Sequence, residues 1–356
     1  MKRCIASAGD WLLPSLSALF VATSGIAALH GADPRGTASN LFAGTYQRAY
    51  EGRFEDALPF RNAAQHAWTT ARMALLGEVS SGALMSDSGW LFTLEEFVTP
   101  PDAPDFTAEL EATQASLAAQ GIRLIPLIVP DKARVLQAEH SFARSAALVA
   151  RYDDALDAIS KLGLPRIDAR TALAPLGNDA FFRTDTHWTP YGAQAVAAAL
   201  APQIAALGLD PTAFETEQTQ IIPHIGDLMR YLPLLDPDAA GFAPEPLPRY
   251  TTVAAGGDLL GGGLFGDAPV LASLIGTSFS ANPNWHFDGW LKQETGIDLI
   301  NRADEGQGPF APMRAYLADQ TAQSDTSAGL VIWEIPERYT TLGELVQRGY
   351  KTMRPA

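Results

Sequence analysis

The chain is almost free of cysteine. Its 356 residues include one, Cys4, which lies in the N-terminal segment. A single thiol forms no disulfide within the chain, and it supplies too few ligands for a thiolate zinc site. The sequence therefore excludes a disulfide-stapled scaffold and a cysteine-ligated metal centre.

Basic residues are also scarce. The chain has 25 lysines and arginines against 40 aspartates and glutamates, which gives a net charge of −15. Affinity for nucleic acid comes mainly from Lys and Arg side chains that neutralise phosphates, so we expect no nucleic-acid partner. The same charge repels a polyanionic polysaccharide at long range unless a locally basic groove compensates for it.

The N-terminal segment has its own pattern. Lys2 and Arg3 are followed by residues 11–29, which carry no charge. A basic start before an apolar run is typical of a secretory signal peptide or an uncleaved signal anchor, and we assign one of these roles to residues 1–32. A buried core helix is the alternative, since Pro14 and several small polar residues weaken the pattern. We predict export and leave cleavage and anchoring open.

The remaining residues, 33–356, show no internal repeat and no heptad series, and we treat them as one domain. Short apolar runs rich in β-branched residues alternate with helical stretches, which predicts an α/β fold. The apolar runs are RLIPLIVP (123–130), VLASLIGTS (270–278) and GLVIWEIP (329–336), and the helical stretches beside them are 106–121 and 284–296.

Proline and glycine concentrate in residues 232–266, which show no clear periodicity. We expect this segment to be a surface insertion near a functional face. Its glycine run, GGDLLGGGLFGD (256–267), lacks the Lys-Ser/Thr ending of a phosphate loop and precedes a predicted strand. We therefore do not expect nucleotide binding.

An aspartate precedes a histidine by two residues in FFRTDTHWTPYG, residues 181–192. Thr189 and Pro190 form a typical N-cap and first turn, so Asp185 and His187 fall in extended chain and project on the same side. A carboxylate placed this way can fix the tautomer of an imidazole and stabilise its cation. A structural Asp–His pair is the first alternative. A metal site is a weaker one, because no second histidine lies at ligand spacing.

A serine follows an apolar strand in LIGTSFSANPNW, residues 274–285. The strand runs into Gly276, and we expect a helix to begin near Asn282 and Pro283. A serine at such a turn, here Ser278, is displayed at the end of a sheet, where backbone N–H groups can form an oxyanion site. Ser280 replaces the second glycine of the G-x-S-x-G elbow, so a structural role for the serine is an alternative here.

We assign no site role to the other histidines and to one group of aromatic residues of the domain. The histidines without a recognisable pairing are His66, His140, His224 and His286. The last of these follows Ser278 on a predicted helix and is the one that could face the same site. The aromatic residues that we interpret as helix packing, in place of a sugar platform, are Trp285, Phe287 and Trp290.

Five segments occur in an order that resembles one family. They are SGWLFTLEEF (88–97), FRTDTHWTPYGA (182–193), LIGTSFSANPNW (274–285), EGQGPFAPMRAYL (305–317) and WEIPERY (333–339). Together they resemble the SGNH hydrolase-like acetyltransferases of bacterial exopolysaccharide secretion, the group that contains alginate O-acetyltransferases J and X. The resemblance spans roughly residues 40–345, and the length is closer to the J type.

This resemblance implies an SGNH-like α/β/α sandwich with a parallel central sheet and a Ser-His-Asp triad. The matching motifs make Ser278 the nucleophile, His187 the general base and Asp185 its orienting carboxylate. The Asp-His segment precedes the serine segment, which is a circularly permuted order relative to SGNH esterases. Thr277 stands where the hydrolase motif GDSxS has Asp.

The implied function is a periplasmic O-acetyltransferase that acetylates hydroxyls of a secreted, alginate-like polysaccharide through an acetyl-serine. Gly306 and Gly308 are candidate oxyanion donors. Arg338 and Tyr339 are candidates for the sugar groove, with packing of the sheet edge as the alternative.

The resemblance also concerns cofactors, partners and location. We expect no metal and no bound cofactor, because the acetyl group would arrive from a membrane acetyl carrier. The implied partners are a membrane-bound O-acyltransferase and other polysaccharide secretion proteins, and residues 11–29 would anchor the protein to the inner membrane.

Two other functions are open at this point. A carbohydrate acetylesterase would use the same triad and release acetate to water. A non-catalytic polysaccharide-binding scaffold would keep its binding without Ser278, and the complete set of Ser278, His187 and Asp185 argues against it.

Overall fold

The computed structural model describes residues 8–31, 45–59, 61–76, 82–99, 105–234, 236–255, 270–319 and 329–342. The chain divides into two compact units. The first consists of Met1–Leu75 with Pro233–Leu235, and the second of Leu76–Leu232 with Asp236–Ala356. The predicted domain boundary after residue 32 lies outside the described residues and stays a prediction.

The described part of the chain contains both helices and strands. The helices are α1 (Ala8–Gly31), α2 (Thr45–Ala57), α3 (Arg61–Leu76), α4 (Phe106–Ala118), α5 (Lys132–Val135), α6 (Ala146–Lys161), α7 (Ala169–Leu173), α8 (Pro190–Ala205), α9 (Ser278–Ala281), α10 (Phe287–Thr295), α11 (Phe310–Ala318) and α12 (Tyr339–Leu342). The strands are β1 (Ala83–Met85), β2 (Leu91–Thr93), β3 (Arg123–Val129), β4 (Phe214–His224), β5 (Glu245–Ala254), β6 (Val270–Ile275), β7 (Asp298–Asn301) and β8 (Leu330–Pro336).

The first unit contains α1, which includes the uncharged residues 11–29 of the predicted signal segment. Apolar side chains such as Leu19, Phe20 and Val21 are exposed on it. None of the described helices combines the length and the hydropathy that a membrane span needs. The signal peptide and the anchor stay predictions.

The second unit is built on a four-stranded parallel sheet in the order β3-β8-β6-β7. Residues of β3 pair in register with β8, from Arg123 opposite Leu330 to Val129 opposite Pro336. Nearly all residues of β3, β6 and β8 are buried, which is what a parallel sheet covered on both faces requires. The three apolar runs of the sequence are therefore the central strands.

Helices cover both faces of this sheet. On one face, Ile125, Leu274 and Ile332 join a core with α7, α8 and α10. On the other face, Ile128 and Trp333 join a core with α4, α6 and α11. Alternate residues of a strand point to opposite faces, so a single strand such as β8 supplies both cores. The result is the predicted α/β/α sandwich with a parallel central sheet.

The carboxyl ends of the central strands meet at one edge, where ligands bind in open α/β sheets. The chain leaves β3 towards Asp131, leaves β6 towards Ser278 and leaves β8 towards Arg338. This edge brings together residues that are far apart in the sequence.

A two-stranded antiparallel arm, formed by β4 and β5, lies beside the sandwich. The segment 232–266, whose sequence shows no clear periodicity, contains a strand of 10 residues, Glu245–Ala254. Pro246 and Pro248 hid the strand pattern, yet a two-stranded arm consists of edge strands, where proline is tolerated. Residues 256–266, which contain most of the glycine run, lie outside the described residues.

Candidate active site

The Asp-His segment is held in place by the start of α8. The hydroxyl of Thr189 accepts the backbone N–H of Gly192 at 3.1 Å, and Pro190 occupies the first turn, as predicted. Trp188 is fully buried in the core of the sheet face, which fixes the alternate side chains of the extended segment on the opposite side. Asp185 and His187 consequently project together, in agreement with the sequence.

A short helix that the sequence did not predict begins at the serine turn. The sequence predicts one helix that starts near Asn282 and Pro283 and ends at Gly296, whereas the structure has a short helix, α9, from Ser278 and a longer one, α10, from Phe287 to Thr295. Thr277 is its N-cap, and the Thr277 hydroxyl accepts the backbone N–H of Phe279 at 3.3 Å. The predicted end at Gly296 is confirmed, whereas the predicted start was too early because Asn282 and Pro283 resemble a cap and a first turn.

A buried carboxylate, Glu334 of β8, lies directly behind this turn. It accepts the backbone N–H of Thr277 at 2.7 Å and the hydroxyls of Thr277 and Ser280 at 3.0 and 3.1 Å. A side chain on Gly276 would overlap with this carboxylate, which explains why the strand ends in glycine. Burial raises the pKa of Glu334, against the opposing effect of its hydrogen bonds to Thr277 and Ser280.

Hydrogen bonds join three side chains into one chain, Ser278–His187–Asp185. His187 Nε2 lies 2.7 Å from Ser278 Oγ, and His187 Nδ1 lies 2.6 Å from Asp185 Oδ1. The serine and histidine side chains are adjacent although 91 positions separate them in the chain. These are the distances and the order that a nucleophile, a base and an orienting carboxylate require.

Asp185 is buried and accepts several hydrogen bonds. Its Oδ1 also accepts the backbone N–H of His187 at 2.9 Å, and its Oδ2 accepts the backbone N–H of Asp227 at 3.0 Å. Burial by itself would raise the pKa of Asp185. The hydrogen bonds from His187 and His224 outweigh it and hold the pKa of Asp185 well below its usual range. The carboxylate is therefore ionised beside the imidazole.

His224 belongs to the site, which corrects the interpretation that it has no pairing. Its Nε2 lies 2.9 Å from Asp185 Oδ2. It is the last residue of β4, so its position depends on the arm that the sequence did not predict. The residue type was the only signal in the sequence, since 39 positions separate it from Asp185.

The structure also places His286 and the aromatic cluster of Trp285, Phe287 and Trp290. His286 contacts Thr252 at 2.7 Å and is absent from the residues that line the cleft described below. Trp285 is buried and stacks on His187, with ring centroids 5.1 Å apart. Phe287 and Trp290 are buried in the core as predicted, whereas Trp285 also lines the cleft.

A buried lysine supports the backbone of the Asp-His segment. Lys132 Nζ donates to the carbonyls of Leu91 (2.6 Å), Arg183 (3.0 Å) and Asp185 (2.9 Å). Burial lowers the pKa of Lys132 to about 8, against the nearby carboxylates, of which Glu96 raises it most. The lysine joins three chain segments immediately behind the site.

The triad opens into a cleft of about 490 Å³. The lining residues beyond Ser278, His187 and Asp185 are Thr93, Glu95, Thr186, His224, Ile225, Asp227, Arg230, Asn282, Trp285, Glu305, Gly306, Arg338 and Tyr339. Three of the candidates named from the sequence, Gly306, Arg338 and Tyr339, are thus in the lining. Gly308 is buried and is not part of it.

Arg338 is both packed and part of the cleft. It is 7 % exposed, and its Nε donates to Glu95 at 2.9 Å. Its guanidinium lies 5.3 Å from the ring centroid of Tyr339 and 5.7 Å from that of Phe279. The two alternatives raised from the sequence, lining the groove and packing the sheet edge, both hold for this residue.

Asp185, His187 and Asp227 offer ligand atoms within 4.8 Å of one another. These atoms already have partners. The two ring nitrogens of His187 contact Asp185 and Ser278. The Asp227 carboxylate accepts the N–H and the hydroxyl of Thr186. The hydrogen bonds account for the cluster without an ion.

Comparison with known proteins decides the family. A family model described as an SGNH hydrolase-like domain, acetyltransferase AlgX, matches residues 83–337. The chain belongs to this family. The predicted enzyme class, an SGNH-like acetyltransferase, is confirmed by this membership.

Relatives of this acetyltransferase support the same assignment. The chain is 35 % identical over 314 residues to the probable alginate O-acetylase AlgJ of Pseudomonas syringae pv. tomato, covering 85 % of this chain and 80 % of the relative. It is 37 % identical over 318 residues to the probable alginate O-acetylase AlgJ of Pseudomonas aeruginosa, covering 84 % and 81 %. Both are J-type proteins, as the length predicted.

A solved structure gives the same fold. The O-acetyltransferase domain of Pseudomonas putida AlgJ superposes with a TM-score of 0.63 at 31 % identity, covering 73 % of this chain and 92 % of that one. The SGNH-like fold class predicted from the ordered motifs is confirmed.

Proposed function

We propose that this SGNH-like acetyltransferase is a periplasmic enzyme that transfers acetyl groups to hydroxyls of alginate or a similar secreted polysaccharide. The observation that carries the proposal is the contact of Ser278 Oγ with His187 Nε2 at 2.7 Å, at the bottom of a cleft. The relatives that are named alginate O-acetylases support the choice of acceptor.

The first half-reaction forms an acetyl-serine. Ser278 Oγ attacks the acetyl carbonyl of the donor while His187 Nε2 takes the hydroxyl proton. Asp185 stabilises the imidazolium that results. When the tetrahedral intermediate collapses, His187 gives this proton to the leaving group, and the acetyl carbon remains bonded to Oγ.

The oxyanion of each intermediate needs donors within the cleft. The backbone N–H of Ser278, at the start of α9, is one candidate, and that of Gly306 in the lining is another. A third candidate is Asn282, which also lines the cleft. Its Oδ1 accepts the backbone N–H of Asn284 at 3.0 Å, which leaves the Nδ2 amide as a donor for the cleft. Gly308, which is buried outside the lining, is the weaker of the two glycine candidates.

The second half-reaction returns the enzyme to its starting state. His187 takes the proton of a sugar hydroxyl, and the sugar oxygen attacks the acetyl carbonyl. Collapse of the intermediate breaks the bond to Ser278 Oγ, which regains the proton from His187. If water takes the place of the sugar, the same steps release acetate, so transfer depends on the acceptor excluding water.

The charged side chains of the cleft influence which acceptor it binds. Arg338 is paired with Glu95, whereas the Arg230 side chain is 63 % exposed and lies 4.0 Å from Asp227. An exposed guanidinium suits the carboxylate of a uronic acid. We propose Arg230, with Arg338 and Tyr339, as the acceptor-binding residues, and Arg230 as the exposed cation among them.

The donor is proposed to be an acetyl carrier in the membrane, presented by a membrane-bound O-acyltransferase. This follows from the predicted export of the chain, since cytoplasmic acetyl-CoA does not reach an exported enzyme. The predicted segment 11–29 would keep the enzyme at the inner membrane.

The test is the intact mass of the full-length chain after incubation with 4-nitrophenyl acetate, with Ser278→Ala beside the wild type. We expect an acetyl adduct and ester turnover in the wild type and neither in Ser278→Ala. Adding oligomannuronate should then move acetyl groups onto the sugar. Acetate release that the sugar does not change would identify an acetylesterase, and an adduct that persists in Ser278→Ala would refute the mechanism.

A further inference from the structure

The carboxylate of Asp185 serves two histidines, one at each oxygen. Oδ1 faces His187, and Oδ2 faces His224 at 2.9 Å. Each oxygen also accepts a backbone N–H, from His187 and from Asp227. All four contacts are 3.0 Å or shorter, and the Asp185 side chain is 3 % exposed. The carboxylate is therefore held on both sides.

The direction of the bond at Oδ2 follows from the donors around Asp185. A backbone N–H can only donate, so Oδ2 acts as an acceptor towards Asp227. An ionised carboxylate has no proton to give, so His224 Nε2 must carry the proton in its contact with Oδ2. His224 thus adds a second imidazole N–H to the carboxylate that orients the base.

The ring of His224 is held in the same aromatic group as the base. Its centroid lies 4.7 Å from that of Phe182 and 5.5 Å from that of Trp285. Trp285 meets His224 at 85° and stacks on His187 at 22°. One indole therefore touches both histidines, and His224 also lines the cleft.

We propose that His224 is a positioning residue for acyl transfer. It extends the hydrogen-bonded chain of the triad to Ser278–His187–Asp185–His224. Its hydrogen bond fixes the rotation of the Asp185 carboxylate, so that Oδ1 stays directed at His187 Nδ1. His187 then keeps the tautomer in which Nε2 is free to take the proton of Ser278. This inference rests on the proposed triad mechanism.

A purely structural role for His224 predicts a different outcome. In that case the ring would matter for its packing between Phe182 and Trp285, and the N–H would not. Phenylalanine preserves the packing and removes the donor. Glutamine preserves a donor near the Nε2 position, and asparagine carries the same amide on a side chain too short to reach Oδ2. These three variants separate the packing from the hydrogen bond.

The experiment measures kcat for 4-nitrophenyl acetate in full-length wild type, His224→Phe, His224→Gln and His224→Asn. His140→Phe serves as the matched control, since His140 packs among Phe92, Phe97 and Phe142 and is absent from the cleft lining. The loss of a hydrogen bond to a charged group should lower kcat by roughly tenfold or more in the Phe and Asn variants. The Gln variant should stay within about threefold of the wild type.

A spectroscopic measurement accompanies the rates. The proton between His187 Nδ1 and Asp185 should give a downfield proton resonance, whose position reports the geometry of that bond. We expect this resonance to move in His224→Phe and His224→Asn and to stay in place in His224→Gln and His140→Phe. A residue that acts by packing alone would leave it unchanged in the Phe variant.

Wild-type kcat and an unchanged resonance in both His224→Phe and His224→Asn would overturn the inference. So would a loss in His224→Gln as large as in His224→Asn. If His224→Phe fails to fold, as judged by circular dichroism, the Gln and Asn pair decides. Ser278→Ala, measured in parallel, distinguishes a failure of the triad mechanism from a failure of the role of His224. Retained turnover in Ser278→Ala would refute the triad mechanism. If Ser278→Ala loses turnover while His224→Phe keeps full turnover, only the role of His224 is refuted.

Discussion

The two halves of the active site are built in different ways. The serine turn is fixed by the central sheet, because β6 delivers Ser278 and the adjacent β8 supplies Glu334 behind it. The Asp-His segment lies on no strand of that sheet. It is held by side chains from elsewhere, with Lys132 on its backbone and His224 on its carboxylate.

The difference lies in where the rigidity comes from. The serine turn takes its precision from strand register and one carboxylate, which Thr277 and Ser280 both contact. The Asp-His segment needs a separate partner for each group, including one from the antiparallel arm. A change to Glu334 should therefore affect stability and rate together, whereas loss of one partner of Asp185, such as His224, leaves its other hydrogen bonds in place.

The largest effect is expected from the triad residues. Asp185→Asn should lower kcat by about 10⁴-fold, because the amide stabilises neither the correct tautomer nor the imidazolium. Ser278→Ala and His187→Ala should lower it at least as much. Steady-state rates with 4-nitrophenyl acetate measure this, and circular dichroism should show that each variant is folded. Asp238→Asn, an exposed loop change, is the control. An Asp185→Asn variant with near wild-type kcat would show that the carboxylate is structural.

Glu334→Ala should follow, with losses in both stability and rate. It leaves the backbone N–H of Thr277 and the hydroxyl of Ser280 without their acceptor, at a cost of about 1–3 kcal/mol for each buried donor. Displacement of Ser278 should lower kcat by about 10²-fold. Urea unfolding and ester turnover provide the two measurements.

The control for this change is Glu217→Gln, on an exposed position of β4. A stable Glu334→Ala variant with full turnover would show that strand register alone holds the turn. Glu334→Gln, which keeps an acceptor for Thr277, should lie between Glu334→Ala and the wild type.

The two carboxylates should also give opposite dependences of stability on pH. The pKa of Asp185 is lowered in the folded state, so the unfolded chain binds more protons below about pH 4. The stability from Asp185 is therefore present above that pH and is lost as the pH falls towards its folded pKa. The pKa of Glu334 is raised from 4.5 by burial, so the folded chain binds more protons above that value and stability declines as the pH rises.

Urea unfolding of the wild type, Asp185→Asn and Glu334→Gln between pH 3 and pH 8 checks these signs. Asp185→Asn should remove part of the gain in stability that accompanies the rise through about pH 4. Glu334→Gln should flatten the decline above about pH 4.5. Curves that run parallel to that of the wild type across this range would contradict both assignments.

The smallest effect is expected from the cap of α9. Thr277→Val keeps the shape of the side chain and removes the hydroxyl that accepts the N–H of Phe279 and donates to Glu334. It should lower the free energy of unfolding by about 1 kcal/mol, whereas Thr277→Ser should stay near the wild type. Equal stabilities for the two variants in urea unfolding would show that the hydroxyl contributes little.

The parts of the molecule that the sequence predicted are those with local signals. Continuous apolar runs identified β3, β6 and β8, and the spacing of Asp185 and His187 placed them on one side of an extended segment. Thr189 and Pro190 marked the start of α8 correctly. In each case the deciding interactions lie within a few residues of one another.

The parts that the sequence did not predict depend on distant contacts. His224 became visible only when β4 brought it to Asp185, and Glu334 looked like any residue of the WEIPERY segment until the strands were paired. The helix start at Ser278 was missed because its cap is supported from another strand. The strand of residues 245–254 was missed because two prolines disguised an edge strand.

Lys132 has a further consequence for an enzyme that carries a reactive ester. An acetyl group on Ser278 would pass irreversibly to any neutral amine within reach, and the enzyme would acylate itself. The amine of Lys132, with its pKa lowered to about 8, is the kind that reacts, yet it is 1 % exposed and bound to three carbonyls. The residues that line the described cleft include arginines and histidines but no lysine. Peptide mapping after prolonged incubation with an acetyl ester should therefore find Lys132 unmodified. In this part of the fold, the choice and the burial of its cations would protect an enzyme that forms the proposed acetyl-serine.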